Sequence, residues 1–386
     1  MIWSKTLNDN KGVCVISDGF PTKENPINTF VEQLICALAD LGVKCSVIAP
    51  QSVTRSLIRK NAQNPTHWTK RSKTGQIIDV YQPKYVSMSG KKVCGVDIGK
   101  FLFERAAIHA FTQIKDRPNI MYGHFWHCGL IAAKIAKKER LPVYVACGES
   151  RISILDDYKL NKIKPILSYI NGVISVSSEN KINSIKFGLA DQEKIVVLPN
   201  GIDNSIFYKM NKNEARASLG YDNNDFIVAF TGAFSDRKGS KRLSEALDKV
   251  ENVKSIFIGK GGTHIPNCNS ILFCGQLAHE DIARYLNSAD IFVLPTLAEG
   301  CCNAIIEALA CGLPVISSKM PFNDDILDDS YAIRVNPQSI EDISDAILLL
   351  KNNPKMREKM SQEALNIAKK FTIEERAKRV LDYICM

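Results

Sequence analysis

Two glutamates set eight positions apart carry the most explicit chemistry in this chain. They stand in Leu294-Pro-Thr-Leu-Ala-Glu299-Gly-Cys-Cys-Asn-Ala-Ile-Ile-Glu307-Ala-Leu-Ala-Cys-Gly312-Leu-Pro-Val. An apolar run ends at Leu294, and a helical pattern runs from about Asn303 to Cys311, stopped by Gly312 and Pro314. Glu299 therefore belongs to a strand-to-helix loop and Glu307 to the helix. The amides of Gly300, Cys301, Cys302 and Asn303 point at whatever occupies the helix N-terminus, where an anion is favoured. A carboxylate beside that anion can accept hydrogen bonds from sugar hydroxyls, and a second one, a turn or two on, can grip a ribose. Without context the same segment is a capped helix with two solvated glutamates.

Cations occupy a second loop of this kind. Thr231-Gly232-Ala-Phe-Ser-Asp-Arg237-Lys238-Gly239 follows an apolar run, and its paired positive side chains suit a departing diphosphate. An exposed basic turn is the plainer reading. His124 and His127, in Tyr122-Gly-His-Phe-Trp-His-Cys-Gly, follow a strand and open a helix. Their spacing suits a metal pair, but no third ligand matches it, and Asp156-Asp157 and Asp324-Asp325 read as turns; no metal is expected. His124 is instead expected to hydrogen-bond a sugar or acceptor, while His67, His109, His264 and His279 have no comparable setting.

The elements that must position these loops form an alternating βα pattern, the mark of parallel sheets. Strands are expected near Gly12–Ser17, Val43–Ala49, Asn119–Tyr122, Pro142–Cys147, Val173–Val176 and Ile195–Leu198, with a clear amphipathic helix at Ile27–Leu41. The pattern restarts with strands at Phe226–Thr231, Lys254–Ile258, Ser270–Phe273, Ile291–Leu294 and Pro314–Ser317. Two Rossmann-like halves follow, joined near Pro199–Asp225, with consecutive helices from Ser339 onward broken near Pro354 and Phe371. Such sheets bind ligands at the carboxyl ends of their strands, so the motifs should lie in strand-to-helix loops.

Composition agrees with this organisation and removes several classes. At 386 residues, 45% hydrophobic and 24% charged, the chain is long enough for two domains and is neither disordered nor fibrous. No apolar run of 18 or more residues and no signal-peptide pattern appears, so a cytoplasmic location is expected. The 12 cysteines lack paired CxxC spacing and read as reduced thiols. Charge is uneven: residues 1–199 carry 28 Lys and Arg against 16 Asp and Glu, a net +12, and residues 200–386 carry 22 against 25, a net −3. The basic half lacks a nucleic-acid-binding motif or an aromatic-rich basic stripe, and no nucleic acid partner is expected.

The segments Leu198-Pro-Asn-Gly-Ile-Asp203, Lys238-Gly239, Phe257-Ile-Gly-Lys-Gly-Gly262, Ala289-Asp-Ile-Phe-Val-Leu-Pro295 and the Glu-x7-Glu pair occur in this order. Together they resemble the retaining glycosyltransferases of family 4, over nearly the whole chain. The resemblance implies the GT-B fold, an α/β architecture of two facing Rossmann-like domains. The first, acceptor-binding domain would take residues 1–198 and the nucleotide-sugar domain residues 199–368, with a helix at 369–386 packing back on the first. It also implies roles: Glu299 on the donor sugar, Glu307 on the ribose, Arg237 and Lys238 on the diphosphate. Asn200, Gly232, Gly259 and Gly300 to Asn303 would shape the rest of the donor site, and Gln276 and Leu277 would meet the base. No metal or other cofactor is required in this reading.

Three positions depart from the family pattern. Ala233 stands where an arginine is usual, which leaves Arg237 as the substitute cation. Asn25-Pro26 replaces a glycine pair at the start of the first long helix, where Asn28 and Thr29 can still present polar groups. Cys147-Gly148-Glu149-Ser150 replaces a histidine-glycine, so Cys147 and Glu149 are the acceptor-side residues there. The resemblance implies a sugar moved with retention from a nucleoside diphosphate sugar, UDP ahead of GDP, to a saccharide or polyprenyl-diphosphate-linked saccharide in glycan biosynthesis. Cations at Arg55, Arg59-Lys60, Lys70-Arg71, Lys73 and Lys91-Lys92 could hold the chain peripherally at an anionic inner membrane face, at roughly 1 kcal/mol each. Two alternatives stay open: a degenerate, non-catalytic binder of nucleotide sugars with the same fold, and a nicotinamide-dependent oxidoreductase. The latter would need a GxGxxG after the first strand, where Ser17-Asp-Gly-Phe20 stands.

Overall fold

The computed structural model describes residues 12–22, 28–59, 63–87, 92–93 and 96–386. Asn25, Pro26, Lys60 and Lys91 lie outside them. The chain forms two compact units, one taking the chain up to Leu198 together with Glu374–Met386, the other Pro199–Ile373. The second unit closes at Ile373 rather than at 368.

In the first unit, β1 (Gly12–Ile16), β2 (Lys44–Ile48), β3 (His67–Arg71), β4 (Ile77–Tyr81), β5 (Ile120–His124), β6 (Val143–Cys147), β7 (Gly172–Ser175) and β8 (Ile195–Val197) form one sheet. Their order is β8-β7-β6-β5-β1-β2-β4-β3, parallel except for the edge strand β3, which runs antiparallel to β4. That edge pair is not readable as apolar runs because His67-Trp-Thr-Lys-Arg71 alternates exposed and half-buried positions along a solvated edge. Helices α1 (Thr29–Asp40), α2 (Val53–Arg59), α3 (Ile98–Thr112), α4 (Phe125–Glu139) and α5 (Ile154–Asp157) connect or flank these strands. Val31, Leu34, Ile35 and Leu38 make the buried stripe of α1 at the spacing expected for a helix on a sheet. Helix α4 approaches β5 so closely that a Cβ on Gly123 would lie 2.2 Å from the Gly129 Cα. Only glycine fits there, and the fit fixes the start of α4 at the end of β5.

The second unit repeats the pattern with β9 (Ile227–Thr231), β10 (Lys254–Ile258), β11 (Ile271–Gly275), β12 (Ile291–Leu294), β13 (Val315–Ser318) and β14 (Ala332–Val335). All are parallel, in the order β11-β10-β9-β12-β13-β14. Helices α6 (Ser240–Leu247), α7 (His279–Ser288), α8 (Asn303–Ala310), α9 (Ile340–Asn352) and α10 (Pro354–Ala368) pack on it. Leu243, Leu286, Ile305, Leu309 and Ile347 are fully buried against Phe230, Ile256 and Phe292 in one cluster. Each such side chain contributes about 1.5–3 kcal/mol.

After α10 the chain makes backbone hydrogen bonds with Ile202 through Phe371 and Ile373, both 2.8 Å, and enters α11 (Ile373–Ile384). From Glu374 on, α11 belongs to the first unit. There the buried Arg376 guanidinium donates to the Leu198 carbonyl, and the Tyr383 hydroxyl donates to the Lys194 carbonyl at 2.6 Å. Gly172 has no side chain because a Cβ would meet the Tyr383 hydroxyl at 2.4 Å.

Each sheet has a topological switch point. Beside β1 the chain adds β2 on one side and β5 on the other; beside β9 it adds β10 on one side and β12 on the other. The loops leaving the carboxyl ends of these pairs diverge and open a crevice.

Candidate active site

The loops leaving β9 and β12 bring the paired cations to the loop glutamate. One Glu299 carboxylate oxygen accepts hydrogen bonds from Lys238 Nζ at 2.6 Å, the Thr296 hydroxyl at 2.7 Å and the Arg237 guanidinium at 3.1 Å. The Glu299 side chain is only 9% exposed, Lys238 14% and Arg237 43%, so Lys238 is the inner partner and Arg237 the outer one. Burial works against the Lys238 charge, but the neighbouring Cys302 and Glu299 outweigh it and hold the ammonium above its ordinary pKa. Backbone contacts lock the two loops together: Leu297 N–H donates to the Arg237 carbonyl at 2.7 Å, and Arg237 donates to the Ala298 carbonyl at 2.6 Å. Gly239 turns the first loop into α6 with φ of 76°, where a Cβ would sit 2.5 Å from the Pro295 carbonyl oxygen.

Gly232 and Gly259 stack on each other at the same end of the sheet. Gly232 N–H donates to the Ile258 carbonyl at 2.9 Å, Gly259 N–H to the Gly275 carbonyl at 2.8 Å, and a Cβ on Gly259 would collide with the Gly232 oxygen. The β11 loop continues into Gln276, which is exposed, and Leu277, which is half-buried against the core. Helix α8 starts after Cys302, whose side chain makes no capping hydrogen bond; the Ile305 N–H already donates to the Cys302 carbonyl at 3.1 Å, which leaves the N–H groups of Asn303 and Ala304 for an anion. Asn200 joins this loop: its side-chain amide donates to Asn303 Oδ1 at 2.9 Å and its backbone N–H to Cys301 Sγ at 3.4 Å. Gly300 is buried in the loop ahead of them.

Glu307 is 8% exposed on α8, and His279 Nε2 lies 3.6 Å from its Oε1. That contact raises the His279 pKa against the cost of its burial, and Phe207 meets the imidazole edge to face at 5.1 Å. His279 has no marked setting in the sequence; its position opening α7, directly after the Gly275-Gln-Leu277 loop, is the signal that points to it.

The first-unit residues are less uniform. Asn28 caps α1 with φ of 57°, and its side-chain amide donates to Asp18 Oδ1 at 2.7 Å, which ties the start of α1 to the loop after β1. Thr29 is the first residue of α1 and half-buried. Glu149 accepts from the backbone N–H of Trp126 at 2.7 Å and of Gly148 at 3.0 Å, with burial pushing its pKa up. Cys147 is 0% exposed and takes a hydrogen bond from the Trp126 indole N–H at 3.2 Å. Contrary to its expected acceptor-side place, it offers no atom to a ligand because β6 points it into the core. His124 is 4% exposed between Phe30 and Phe125, and burial together with Arg376 lowers its pKa to about 3. It is neutral at pH 7 and can act through hydrogen bonding but not as a titrating acid. Among the described residues, no group of three or more His, Cys, Asp or Glu could hold a metal ion.

The second unit thus places an ammonium, a guanidinium and a helix N-terminus where a diphosphate can lie, flanked by two carboxylates that can take hydroxyls. Comparisons with known proteins identify the family. Residues 27–205 match the sequence model described as Glycosyltransferase Family 4, and residues 211–366 that of Glycosyl transferases group 1. An Escherichia coli UDP-Gal:alpha-D-GlcNAc-diphosphoundecaprenol alpha-1,3-galactosyltransferase is 30% identical over 303 residues, 70% of this chain and 76% of that protein. A Bacillus subtilis glycosyltransferase named for teichuronic acid biosynthesis, TuaC, is 25% identical over 86% of this chain and 87% of its own. Among solved structures, the Anabaena protein HepE in complex with UDP superposes with a TM-score of 0.71 at 15% identity, covering 97% of this chain and 99% of that one. With the motifs, the two sheets and these matches in agreement, the chain belongs to glycosyltransferase family 4 and has the GT-B fold.

Proposed function

We propose that this protein is a retaining, metal-independent hexosyltransferase that uses a UDP-sugar and extends a saccharide or polyprenyl-diphosphate-linked saccharide in glycan biosynthesis. The observation that carries the reading is Glu299, fixed by Lys238 and Arg237 beside the open N-terminus of α8, with Glu307 on the same helix. In this reading Lys238, Arg237 and the α8 amides take the charge that grows on the leaving diphosphate. Glu299 orients the donor sugar and Glu307 the ribose. The leaving phosphate assists the incoming hydroxyl, so no separate general base is needed, and neutral His124 contributes hydrogen bonding. The non-catalytic alternative is disfavoured because Lys238, Glu299 and Glu307 are all present, with Lys238 paired to Glu299 and Glu307 on α8.

UDP as carrier is supported by the galactosyltransferase and HepE matches. A peripheral membrane position is supported by Leu57 and Ile58 on α2, 71% and 78% exposed beside Arg55. It draws less on the remaining cations, since Lys70 pairs with Glu32 at 2.5 Å and Lys73 with Glu374 at 3.6 Å. No helix among the described residues is long and apolar enough to cross a membrane. The test is to incubate the protein with a panel of UDP-hexoses and polyprenyl-diphosphate sugars in EDTA and read product configuration by NMR. Transfer with an axial donor linkage kept axial supports the reading; an inverted product, or UDP release only when a divalent ion is added, contradicts it.

A further inference from the structure

The switch point of the first sheet holds a cavity of about 380 Å³ within the first unit, at the lower end of the roughly 300–1,000 Å³ usual for ligand pockets. Its walls come from the loop after β1, the start of α4 after β5, the loop after β6, and helices α2, α3 and α5. Four carboxylates face it: Asp18, Asp97, Glu149 and Asp157. Among the described residues that line it, Arg55 and Lys100 are the cations that oppose them, and the Lys100 ammonium is already bonded to Asp157. Asp97 caps α3 through the Lys100 backbone N–H, and Glu149 is held by two backbone N–H groups, so both are fixed in place. Tyr85, Phe103 and Phe125 supply aromatic surface. Phe125 is held at φ of 70° at the first position of α4. His127, stacked at 6.3 Å on Tyr158, adds an imidazole that burial and nearby Lys100 keep neutral, with its Nδ1 buried and unpartnered.

Aromatic faces with fixed hydrogen-bond acceptors suit a pyranose ring with hydroxyl or amino groups. The surplus of negative charge opposes a carboxylate or phosphate on that ring. We propose that this cavity binds the acceptor's terminal sugar and that it takes neutral or amino-bearing pyranoses while excluding uronates and sugar phosphates. The assignment rests on the transferase reading for the word acceptor; the charge selection rests on the cavity alone. Asp157 contributes to the selection, because it occupies the Lys100 ammonium, which a sugar carboxylate would otherwise use alongside Arg55.

Saturation-transfer NMR on the full chain tests this with methyl hexopyranosides, methyl 2-amino-2-deoxyhexopyranosides and methyl hexopyranosiduronates, and UDP as a separate probe. Neutral and amino glycosides are expected to bind and the uronate to give no signal. Asp157→Asn should raise the uronate-to-neutral binding ratio about tenfold, since one unit charge near a bound carboxylate is worth at least that factor at a protein-like dielectric. Ser153→Trp, at an exposed position on the cavity wall, should remove glycoside signals and leave UDP binding unchanged. Uronate binding to the wild-type chain as well as the neutral glycoside does, or glycoside signals that survive Ser153→Trp, would overturn the proposal. So would the absence of every glycoside signal while UDP still binds. Loss of UDP binding in the wild-type chain would instead strike the transferase reading, and glycoside selection in that case would still support the cavity assignment.

Discussion

Replacing Lys238 by methionine keeps most of the side-chain volume and removes the ammonium that sits 2.6 Å from Glu299. The Glu299 carboxylate, 9% exposed, keeps the Thr296 hydroxyl at 2.7 Å and the outer Arg237 at 3.1 Å. The destabilisation is therefore expected at about 1–3 kcal/mol, below the roughly 3–5 kcal/mol of a buried charge left with no partner. Glu299→Gln removes the stranded charge, so in a double-mutant cycle the pair should couple by about 1–3 kcal/mol. If Lys238 also meets the diphosphate, UDP affinity falls by one charge-assisted hydrogen bond, roughly 10- to 150-fold. Urea denaturation measures the first quantity and isothermal titration with UDP the second. Lys238→Met binding UDP within about threefold of wild type, with strictly additive stability changes, would refute both the ion pair's role and the assignment of the phosphate site.

Three further outcomes follow from the same geometry. Glu307→Ala should weaken UDP binding about tenfold or more, as expected for loss of a carboxylate hydrogen-bonded to ribose hydroxyls, with little change in the fold; titration calorimetry reads it. His279 has a folded pKa raised above its ordinary 6.5 by Glu307. Its stabilising contribution is thus complete below pH 6.5 and lost as pH rises through the raised value, and His279→Gln should flatten that segment of a stability-against-pH curve. His124 runs the other way, with a folded pKa of about 3: the unfolded chain takes up a proton near pH 6.5 that the folded chain refuses. Stability is present above pH 6.5 and falls as pH drops toward 3, and His124→Gln should reduce that slope in urea titrations at pH 4–7.

Much of this site was readable because its determinants are local. The strand-loop-helix patterns around Glu299 and Lys238 each needed only a run of apolar residues, a glycine and a helix start, and the loops meet because parallel sheets gather them at one end. The edge strand His67–Arg71 is not legible in the sequence because its solvated face dilutes the apolar signal. The burial of Cys147 is not legible because β6 is covered on both faces, so its last residue is enclosed whichever way it points. His279 and the cavity carboxylate Asp157 are not legible for another reason: their partners, Glu307 and Lys100, are 28 and 57 positions away, and only the folded chain brings them together.

In the proposed function the second unit binds a nucleoside diphosphate through Lys238, the α8 N-terminus and Glu307. A thermal-shift titration of the wild-type chain and Glu307→Ala with UDP, GDP, ADP and NAD in EDTA tests it directly. At about 100 times its dissociation constant a ligand stabilises the folded state by roughly 2.7 kcal/mol, a readable shift. UDP should raise the wild-type melting temperature in EDTA and shift the variant far less. A shift with NAD alone, or with UDP to the same extent in both proteins, would contradict it.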